Sequence, residues 1–536
     1  MRSGMVAVRS TELCKMNIAK PQWWEIALAV VGVICLILGT KWVRSGELPE
    51  QRIVLDAGGC HTPATILNPR ITDEPPGTVI LLHGLAANRR IMMYLASEFA
   101  GHGLQVYALD FPGHGDSTDS FSFAKAADCA TAAVESLSRD GRIDTRKTIL
   151  VGHSMGGAIA IGMADRVPVA ATIAISPAPM TLPKRMPSNL LVFSGQYELG
   201  VLHRAAAALF QAAGGNRASP EDFAQKRAFD LRYVEHATHT SLISDRNVAH
   251  QSERWIMQTL FPDIPPETLA LNLDLAPYAT ANRGRHRLAG AVIGLIGILF
   301  LFPFCATLMA SLSGPPRSES AGTRPPYSLS LSEVAVAALA GVLLLVLGVP
   351  LEFLHMYTAD YLLSLLLIVG VVLLILNRSY IREVWPPSLS NFVAAAILGF
   401  ATFLAVGGWL NWQLDDAWLN APRWLRFCGI LPIAYVFCSA EELVLGPVDS
   451  GRRRALRFGV FLLLRLEIFL ACTLAYYKLM SGQVLIPLLF VFLAAFSILQ
   501  RLAADGVRKR TGSATAAILF SAILAAWFVA SVFPLT

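Results

Sequence analysis

The chain has 536 residues, of which 54% are hydrophobic and only 15% are charged. This composition excludes an intrinsically disordered chain, and the length is sufficient for two or more domains. The net charge of +6 is modest, and the basic residues stand beside apolar runs, which argues against a nucleic-acid-binding protein.

The apolar residues are unevenly distributed along the chain. The run Trp24–Leu38 follows a basic stretch and is flanked by tryptophans, so residues 1–43 are predicted to be a cytoplasmic N-terminus and an uncleaved anchor helix. A cleaved signal peptide is the alternative, but no small-x-small cleavage motif follows the run. Residues 44–262 have the composition of a soluble domain, residues 263–287 are predicted to be a linker, and residues 288–536 are predicted to be a membrane domain.

Eight further membrane spans are predicted, at approximately residues 288–311, 332–350, 357–377, 391–411, 424–440, 457–477, 483–500 and 514–534. With a cytoplasmic N-terminus, most arginines of the short loops fall on the inner side. This agrees with the positive-inside rule and places residues 44–287 in the periplasm or its equivalent. Arg283, Arg285 and Arg287 contradict the trend, and we expect them to contact lipid headgroup phosphates.

Strand-like and helix-like segments alternate through the soluble region. The strand-like runs are Arg52–Leu55, Ala64–Leu67, Thr78–Leu82, Gln105–Leu109, Thr148–Val151, Ala170–Ile175, Leu190–Phe193 and Leu231–Val234. The first two are predicted to form an opening hairpin. Strands that alternate with helices predict an α/β fold, with a mostly parallel sheet and helices on both faces. Catalytic groups in such a sheet are expected at the carboxyl ends of the strands.

The run Thr148–Val151 ends in the motif Gly-His-Ser-Met-Gly, residues 152–156, after which small helix-forming residues follow. A strand, a tight turn and a helix in this order predict a nucleophile elbow with Ser154 at its apex. The turn closes only where the residues two before and two after the serine lack a Cβ, as Gly152 and Gly156 do. The sequence therefore indicates Ser154 as a catalytic nucleophile.

A catalytic serine needs a base, an acid that orients the base, and donors for the oxyanion. In a sheet of this type the groups occur in the order serine, acid, histidine. Glu198 is the first carboxylate after the run Leu190–Phe193, and Asp230 is the weaker alternative. Two histidines, His236 and His239, follow the last strand-like run and compete for the role of base.

These motifs resemble those of the α/β-hydrolase superfamily, most closely its branch of serine aminopeptidases, monoacylglycerol lipases and lysophospholipases. The resemblance is confined to residues 51–262. It rests on His-Gly at residues 83–84, Asp-Phe-Pro-Gly-His-Gly-Asp-Ser at 110–117, Gly-His-Ser-Met-Gly-Gly at 152–157 and Gly-x-x-Glu at 195–198. The resemblance implies Ser154 as nucleophile, Glu198 as acid and His239, rather than His236, as base. It also implies the backbone N–H groups of Leu85 and Met155 as oxyanion donors.

Two features depart from the family pattern. The acid is usually aspartate in this branch, whereas Glu198 has a longer side chain. The family often inserts a lid between the sixth and seventh strands, but here only Pro177–Asn189 join them. We therefore expect an open active site, covered by the bilayer or by the membrane domain.

The other polar residues of the family motifs are expected to be structural. His83, His114 and His153 are expected to hydrogen-bond the loop backbone, and Asp110 and Asp116 to cap the turn that contains them.

The eight cysteines have no paired spacing, so neither a disulfide framework nor a zinc site is indicated, and no cofactor is predicted. Cys60 and Cys129 are expected to be unpaired, although a location outside the cytoplasm would permit a bridge. In the membrane half, ionisable residues near the span ends are expected at the interface; these are Glu352, His355, Asp360, Glu441 and Glu442. Arg465 and Glu467 are expected to lie deeper.

The combined interpretation is a membrane-bound serine hydrolase that cleaves an ester, or an amide, through an acyl-enzyme. A tethered, open site favours a lipid or an acylated cell-envelope molecule as substrate. The alternative is a transport or export protein in which the membrane domain carries the function and the hydrolase is accessory. A degenerate hydrolase that only binds is disfavoured, since every triad role has an occupant. The sequence does not indicate a protein partner.

Overall fold

The structure is a computed structural model of the full chain. It describes residues 20–46, 48–68, 75–215, 218–265, 267–268, 283–311, 327–346, 352–384, 389–413, 417–447, 452–479 and 485–536. Most of the predicted linker, residues 263–287, and most of the segment before the anchor helix lie outside these ranges.

The described residues between 48 and 265 form an α/β domain around one eight-stranded sheet with the strand order β1-β2-β4-β3-β5-β6-β7-β8. The strands are β1 (Glu50–Ala57), β2 (Cys60–Leu67), β3 (Thr78–Leu82), β4 (Gln105–Leu109), β5 (Thr148–His153), β6 (Ala171–Ile175), β7 (Leu190–Gly195) and β8 (Phe229–Val234). Strands β3 to β8 are parallel, and the antiparallel hairpin β1–β2 joins them through β4. The predicted α/β architecture, including the opening hairpin, is confirmed.

Helices cover both faces of this sheet. They are α2 (Met93–Gly101), α3 (Phe123–Arg139), α4 (Met155–Gly162), α5 (Gly200–Ala212), α6 (Pro220–Ala224) and α7 (Arg246–Leu260), and α1 (Trp23–Gly46) precedes the domain. Every residue of β3 is buried. Val79 and Leu81 belong to the core with α2 and α7, whereas Ile80 and Leu82 belong to the core with α3 and α4. Burial on both faces explains why these strands are continuous apolar runs.

The C-terminal half forms a helical domain together with α1. Its helices are α8 (Arg283–Ala310), α9 (Tyr327–Val346), α10 (Ala359–Leu376), α11 (Leu389–Gln413), α12 (Ala421–Leu445), α13 (Arg452–Leu479), α14 (Leu485–Thr511) and α15 (Ala514–Val532). Every predicted span overlaps one of them. Within the described ranges, seven helices are long and apolar enough to cross a membrane: α1, α8, α10, α11, α12, α14 and α15. Of the other two, α9 has only a shorter apolar stretch, Leu331–Val346, and α13 carries Arg457, Arg465 and Glu467.

Helices α1 and α8, which precede and follow the α/β domain, pack closely against each other through glycines. A Cβ on Gly32 would lie 2.7 Å from Gly297 O, and a Cβ on Gly39 would lie 2.7 Å from Gly290 O. Small residues at such contacts let two helix backbones approach, as is typical of helices packed within membranes.

The start of α8 is tied to the α/β domain rather than exposed. Arg287 is buried and its Nη1 donates to Glu50 Oε1 at 2.7 Å, while the backbone N–H of Gly284 donates to Glu98 Oε1 at 2.9 Å. The predicted contact with lipid headgroups is therefore wrong for Arg287. The partner of Arg287 is instead a carboxylate at the start of β1. Arg285 is exposed.

A disulfide joins Cys60, at the start of β2, to Cys129 in α3, with a Cα–Cα distance of 5.6 Å. The expectation that these cysteines are unpaired is wrong. The two residues are 69 positions apart in sequence and meet because α3 packs against the β1–β2 hairpin. Disulfides persist in oxidising compartments.

Candidate active site

Ser154 occupies the turn between β5 and α4 in the strained conformation that a nucleophile elbow requires. Its φ is 53° and its ψ is −116°, a region that residues with a side chain rarely adopt. A Cβ on Gly152 would lie 2.1 Å from Gly156 O, and a Cβ on Gly156 would lie 2.2 Å from Leu82 O. Both glycines are therefore required, for the steric reason that their spacing predicts.

The turn that follows β3 lies directly beside Ser154. A Cβ on Gly84 would be 3.2 Å from Ser154 Cβ, so the backbone of this turn, hereafter the oxyanion turn (residues 83–86), approaches the serine closely. Leu85, one predicted oxyanion donor, belongs to the oxyanion turn. Met155, the other, is the first residue of α4. Their N–H groups lie on the two chain segments that flank the serine.

His83 fixes the oxyanion turn to the start of the turn that follows β4. Its Nδ1–H donates to Gly84 O at 2.7 Å, and its Nε2 accepts from the N–H of Phe111 at 3.0 Å. Burial lowers the pKa of His83 to about 4, so the ring is neutral and has one nitrogen free to accept. The expected structural role of His83 is confirmed.

Glu198 and His239 form a buried pair at the carboxyl ends of β7 and β8. His239 Nδ1 lies 3.0 Å from Glu198 Oε1, and Glu198 Oε2 accepts from the N–H of Gly195 at 3.1 Å. Burial acts to raise the pKa of Glu198, but the hydrogen bonds, above all that from His239, outweigh it and lower the pKa. The carboxylate is therefore charged at neutral pH and holds the Nδ1–H of the imidazole.

The two alternative residues, His236 and Asp230, have other partners. His236 is exposed, and its ring lies 3.3 Å from Tyr197 Oη. Asp230 accepts from Arg232 Nε at 2.8 Å within β8. The residue that meets Glu198 is His239, which is the acid–base pairing that the family resemblance implies.

Ser176 is a site residue that the sequence reasoning missed. It follows β6 with a φ of 45°, and its hydroxyl lies 2.8 Å from His239 Nδ1 and also bonds Glu198. His153 contributes from the elbow, since its Nε2 donates to the carbonyl of His239 at 2.9 Å. Burial and the neighbouring His239 lower the pKa of His153 to about 3, which keeps it neutral. The only signal for Ser176 is its place directly after a buried strand.

Asp110 organises the turn that follows β4, as expected. Its carboxylate accepts the N–H of Arg89 at 2.7 Å and that of Asp116 at 3.0 Å, and it also pairs with the Arg89 guanidinium. The expected capping by Asp116 is wrong, because its carboxylate accepts from Arg89 Nη2 at 2.6 Å rather than from the turn backbone. These contacts fix the turn, and neither aspartate meets His239.

A cavity of about 370 Å³ adjoins the elbow between α3 and α4. Its lining is mostly apolar and consists of Phe123, Ala127, Thr131, Met155, Ala158, Ile159, Gly162, Met163, Arg166, Ala178, Pro179 and Met180. Residues 176–189, which connect β6 to β7, contain no helix. No lid therefore covers the site in this connection, and Phe123 at the cavity instead contacts Tyr357 of the helical domain, with ring centroids 5.9 Å apart.

Comparisons with known proteins agree with this architecture. Residues 79–299 match the model of the family described as "Alpha/beta hydrolase family". An uncharacterized protein of Mycobacterium tuberculosis is 30% identical over 165 residues, covering 28% of this chain and 59% of that protein. A monoacylglycerol lipase of Mycolicibacterium smegmatis is 34% identical over 97 residues, covering 18% of this chain and 35% of that protein. The chain thus spans less than two thirds of the length of these relatives.

Solved structures also match the α/β domain. One is an α/β serine hydrolase without a lid from Xanthomonas campestris, with 17% identity, a TM-score of 0.33, and coverage of 41% of this chain and 98% of that chain. Another is a membrane phospholipase A described as a bacterial virulence factor, with 15% identity, a TM-score of 0.32, and coverage of 43% and 92%. The sheet order and the family match give the domain the α/β-hydrolase fold and support its place in that superfamily.

Proposed function

We propose that this protein is a membrane-bound serine hydrolase that cleaves an ester bond, or an amide bond, through an acyl-enzyme at Ser154. The observation that carries the proposal is the hydrogen bond between Glu198 and His239, 3.0 Å long, together with the elbow conformation of Ser154 at the end of β5. Nucleophile, acid and base then follow along the chain in the order found in α/β hydrolases.

In the proposed reaction, Ser154 Oγ attacks the substrate carbonyl while Nε2 of His239 accepts its proton. Glu198 holds Nδ1 and stabilises the imidazolium that forms. The N–H groups of Leu85 and Met155 stabilise the oxyanion, and each such donor contributes about 3 kcal/mol to transition-state stabilisation. The tetrahedral intermediate collapses when His239 returns its proton to the leaving alcohol or amine. Water, activated by the same base, then releases the acid.

The substrate class follows from the cavity and from the helical domain. Met155, a proposed oxyanion donor, is one of the residues that line the cavity between α3 and α4, and the mostly apolar lining suits an acyl chain. The β6–β7 connection supplies no lid, and Phe123 at the cavity contacts Tyr357, two residues before α10, which is apolar enough to cross a bilayer. A lipid or an acylated envelope molecule is the substrate that fits, and a relative named as a monoacylglycerol lipase agrees with this class.

We place the α/β domain outside the cytoplasm. The Cys60–Cys129 disulfide suits an oxidising compartment, and the distribution of arginines in the short loops suits a cytoplasmic N-terminus. Attachment of a thiol-reactive, membrane-impermeant reagent in intact cells tests this placement, with a cysteine introduced at exposed Ser120. Labelling at this position only after the cells are broken would contradict it.

The reaction is tested with the full chain in lipid nanodiscs and p-nitrophenyl esters of increasing chain length. Ser154→Ala is expected to reduce hydrolysis to the rate of protein-free nanodiscs, whereas the control Ser138→Ala, on α3, keeps the wild-type rate. Hydrolysis by Ser154→Ala at the wild-type rate would overturn the proposal.

The acyl cavity is tested by filling it. Ala158→Trp is expected to abolish hydrolysis of long-chain esters while acetate and butyrate esters are still cleaved. Ala207→Trp, at an exposed position of α5, is the matched control and should leave the chain-length profile unchanged. Equal loss for short and long esters would place the acyl chain elsewhere.

A further inference from the structure

The C-terminal residues form a joint between the two domains. Leu535 pairs with the turn that follows β4: its N–H donates to Gly113 O at 3.0 Å, and its carbonyl accepts from the N–H of Phe121 at 2.7 Å. On its other side, the same segment bonds the helical domain, because the N–H of Tyr357 donates to Pro534 O at 2.9 Å. The turn of the α/β domain is therefore held by backbone that belongs to the helical domain.

Arg423, in the first turn of α12, fastens this joint. Its side chain is buried, and its Nη2 donates to Gly113 O at 3.0 Å. Its Nη1 faces three carbonyls near the end of α15, those of Ala530, Ser531 and Phe533, at 2.5 to 3.1 Å. A planar guanidinium can serve several acceptors in fixed directions, which a lysine cannot do.

His114, the next residue of the turn, connects the joint to the oxyanion turn. Its Nδ1–H donates to Pro112 O at 2.8 Å, and its Nε2 accepts from the N–H of Ala86 at 3.3 Å. Ala86 has a φ of 58°, a left-handed conformation that is strained for alanine. Because Ala86 directly follows Leu85 in the oxyanion turn, the histidine ring supports the backbone that presents a proposed oxyanion donor.

The electrostatics agree with this arrangement. Burial, the neighbouring His83 and the charge of Arg423 together lower the pKa of His114 well below its ordinary value, against the opposing hydrogen bond to Pro112. A neutral imidazole has one N–H, which Pro112 receives, and Nε2 then keeps the lone pair that Ala86 needs. Burial is the main cause of this shift, and the charge of Arg423 adds to it.

We propose that Arg423, a residue of the helical domain, is a positioning residue for the oxyanion turn, so that the helical domain completes the active site of the α/β domain. The inference rests on the proposed function. It differs from a tethering role because it predicts an effect on the chemical step. A residue that only fastened two domains would alter stability and leave turnover of the folded protein unchanged.

The test uses the full chain in nanodiscs and a short-chain p-nitrophenyl ester. Arg423→Ala is expected to lower kcat on the order of tenfold to a hundredfold, less than the loss of an oxyanion donor itself, with KM within about twofold. Arg423→Lys should keep part of the rate, since its charge still faces His114 but one ammonium cannot bridge Gly113 and α15. The matched control is Arg426→Ala, one turn further along α12, where Nε donates to Leu354 O at 3.0 Å within the helical domain. Unchanged kcat in Arg423→Ala, or an equal loss in Arg426→Ala, would overturn the inference.

A double-mutant cycle with His114→Phe separates positioning from general destabilisation. If Arg423 acts through His114, the double variant is no slower than the slower single variant, whereas independent losses multiply. Multiplied losses would overturn the inference. If Arg423→Ala does not accumulate in folded form, Arg423→Lys combined with His114→Phe carries the same comparison. Failure of the proposed function has a different signature, namely esterase activity that survives Ser154→Ala.

Discussion

Buried charged residues are arranged differently in the α/β domain and in the helical domain. In the α/β domain, one carboxylate, Glu198, meets one histidine, His239, next to the hydroxyl of Ser176. In the helical domain, arginines and acids from α12, α13 and α14 form an ion cluster, consisting of Glu441, Glu442, Arg457, Arg465, Arg501, Asp505 and Arg508. There each acid meets at least two arginines. The first arrangement joins one acid to one imidazole, whereas the second joins each acid to several arginines.

Ionisable residues in apolar helices are insufficient, by themselves, to identify a functional site. Glu442 lies within ion-pair distance of Arg457, Arg501 and Arg508, and Arg457 also donates to Gly446 O at 3.2 Å, at the end of α12. The expectation of an interfacial position for Glu442 overlooked this, because the arginines come from two other helices. We interpret the ion cluster as a fastening of α12, α13 and α14.

Replacement of Glu198 is expected to have the largest effect, a loss of kcat. Glu198→Gln keeps the shape of the side chain, but its amide can stabilise the wrong tautomer of His239 and cannot stabilise the imidazolium. We expect kcat to fall about ten-thousandfold for a p-nitrophenyl ester, with little change in the melting temperature. His236→Ala is the control and should retain the wild-type rate. A loss below about tenfold in Glu198→Gln would remove Glu198 from the triad.

A substitution in the ion cluster should lower the stability of the protein rather than its kcat. Glu442→Gln leaves three buried arginines with less negative charge, and breaking such a pair lowers the free energy of unfolding by about 3–5 kcal/mol. The expected results are a lower melting temperature in detergent and an unchanged kcat in the molecules that remain folded. Glu352→Gln, an exposed acid, is the control. A selective loss of kcat at full stability would give the cluster a functional role.

The disulfide should contribute to stability without affecting the chemistry. It closes a long loop, 69 residues in sequence separation, and a bridge of this kind raises the free energy of unfolding by about 2–4 kcal/mol. The double variant Cys60→Ala, Cys129→Ala should therefore melt at a lower temperature and hydrolyse esters at the wild-type rate. Cys305→Ala, a free cysteine, is the control. An unchanged melting temperature would indicate that the bridge does not form.

The smallest effect is expected at His102, a charged pair of the α/β domain away from the site. Burial opposes its charge, but the contact with Glu253, 3.0 Å away, raises the pKa of His102 to about 9. The pKa of His102 is higher in the folded protein than in the unfolded chain. The stabilisation is therefore fully present below about pH 6.5 and is lost as the pH rises toward 9. The melting temperature of wild type should fall across this window more steeply than that of His102→Leu. Parallel curves for the two proteins would contradict the charged pair.

The sequence predicts those parts of the structure whose signal is local. The strand at Thr78–Leu82 begins and ends where its apolar run does, because a strand buried on both faces excludes polar residues. The elbow at Ser154 is equally local, since two glycines two residues away determine whether the turn can close.

The contacts that the sequence reasoning missed join distant residues and leave no local pattern. Arg423 and Gly113 are 310 positions apart, and the pairing of Cys60 with Cys129 depends on how α3 packs against a hairpin. Ser176 is a different case: its N–H donates to Phe193 O at 2.8 Å on the neighbouring strand, and its left-handed φ turns the hydroxyl toward His239. A lone serine after a strand does not reveal that geometry.

The most direct test of the account is the site of covalent labelling by a fluorophosphonate. The full chain in membranes is treated with the reagent, digested, and the modified peptide is identified by mass spectrometry. We expect an adduct on Ser154, formed more slowly in Glu198→Gln and absent in Ser154→Ala. An adduct on another serine, or equal labelling of the Ser154→Ala variant, would contradict it.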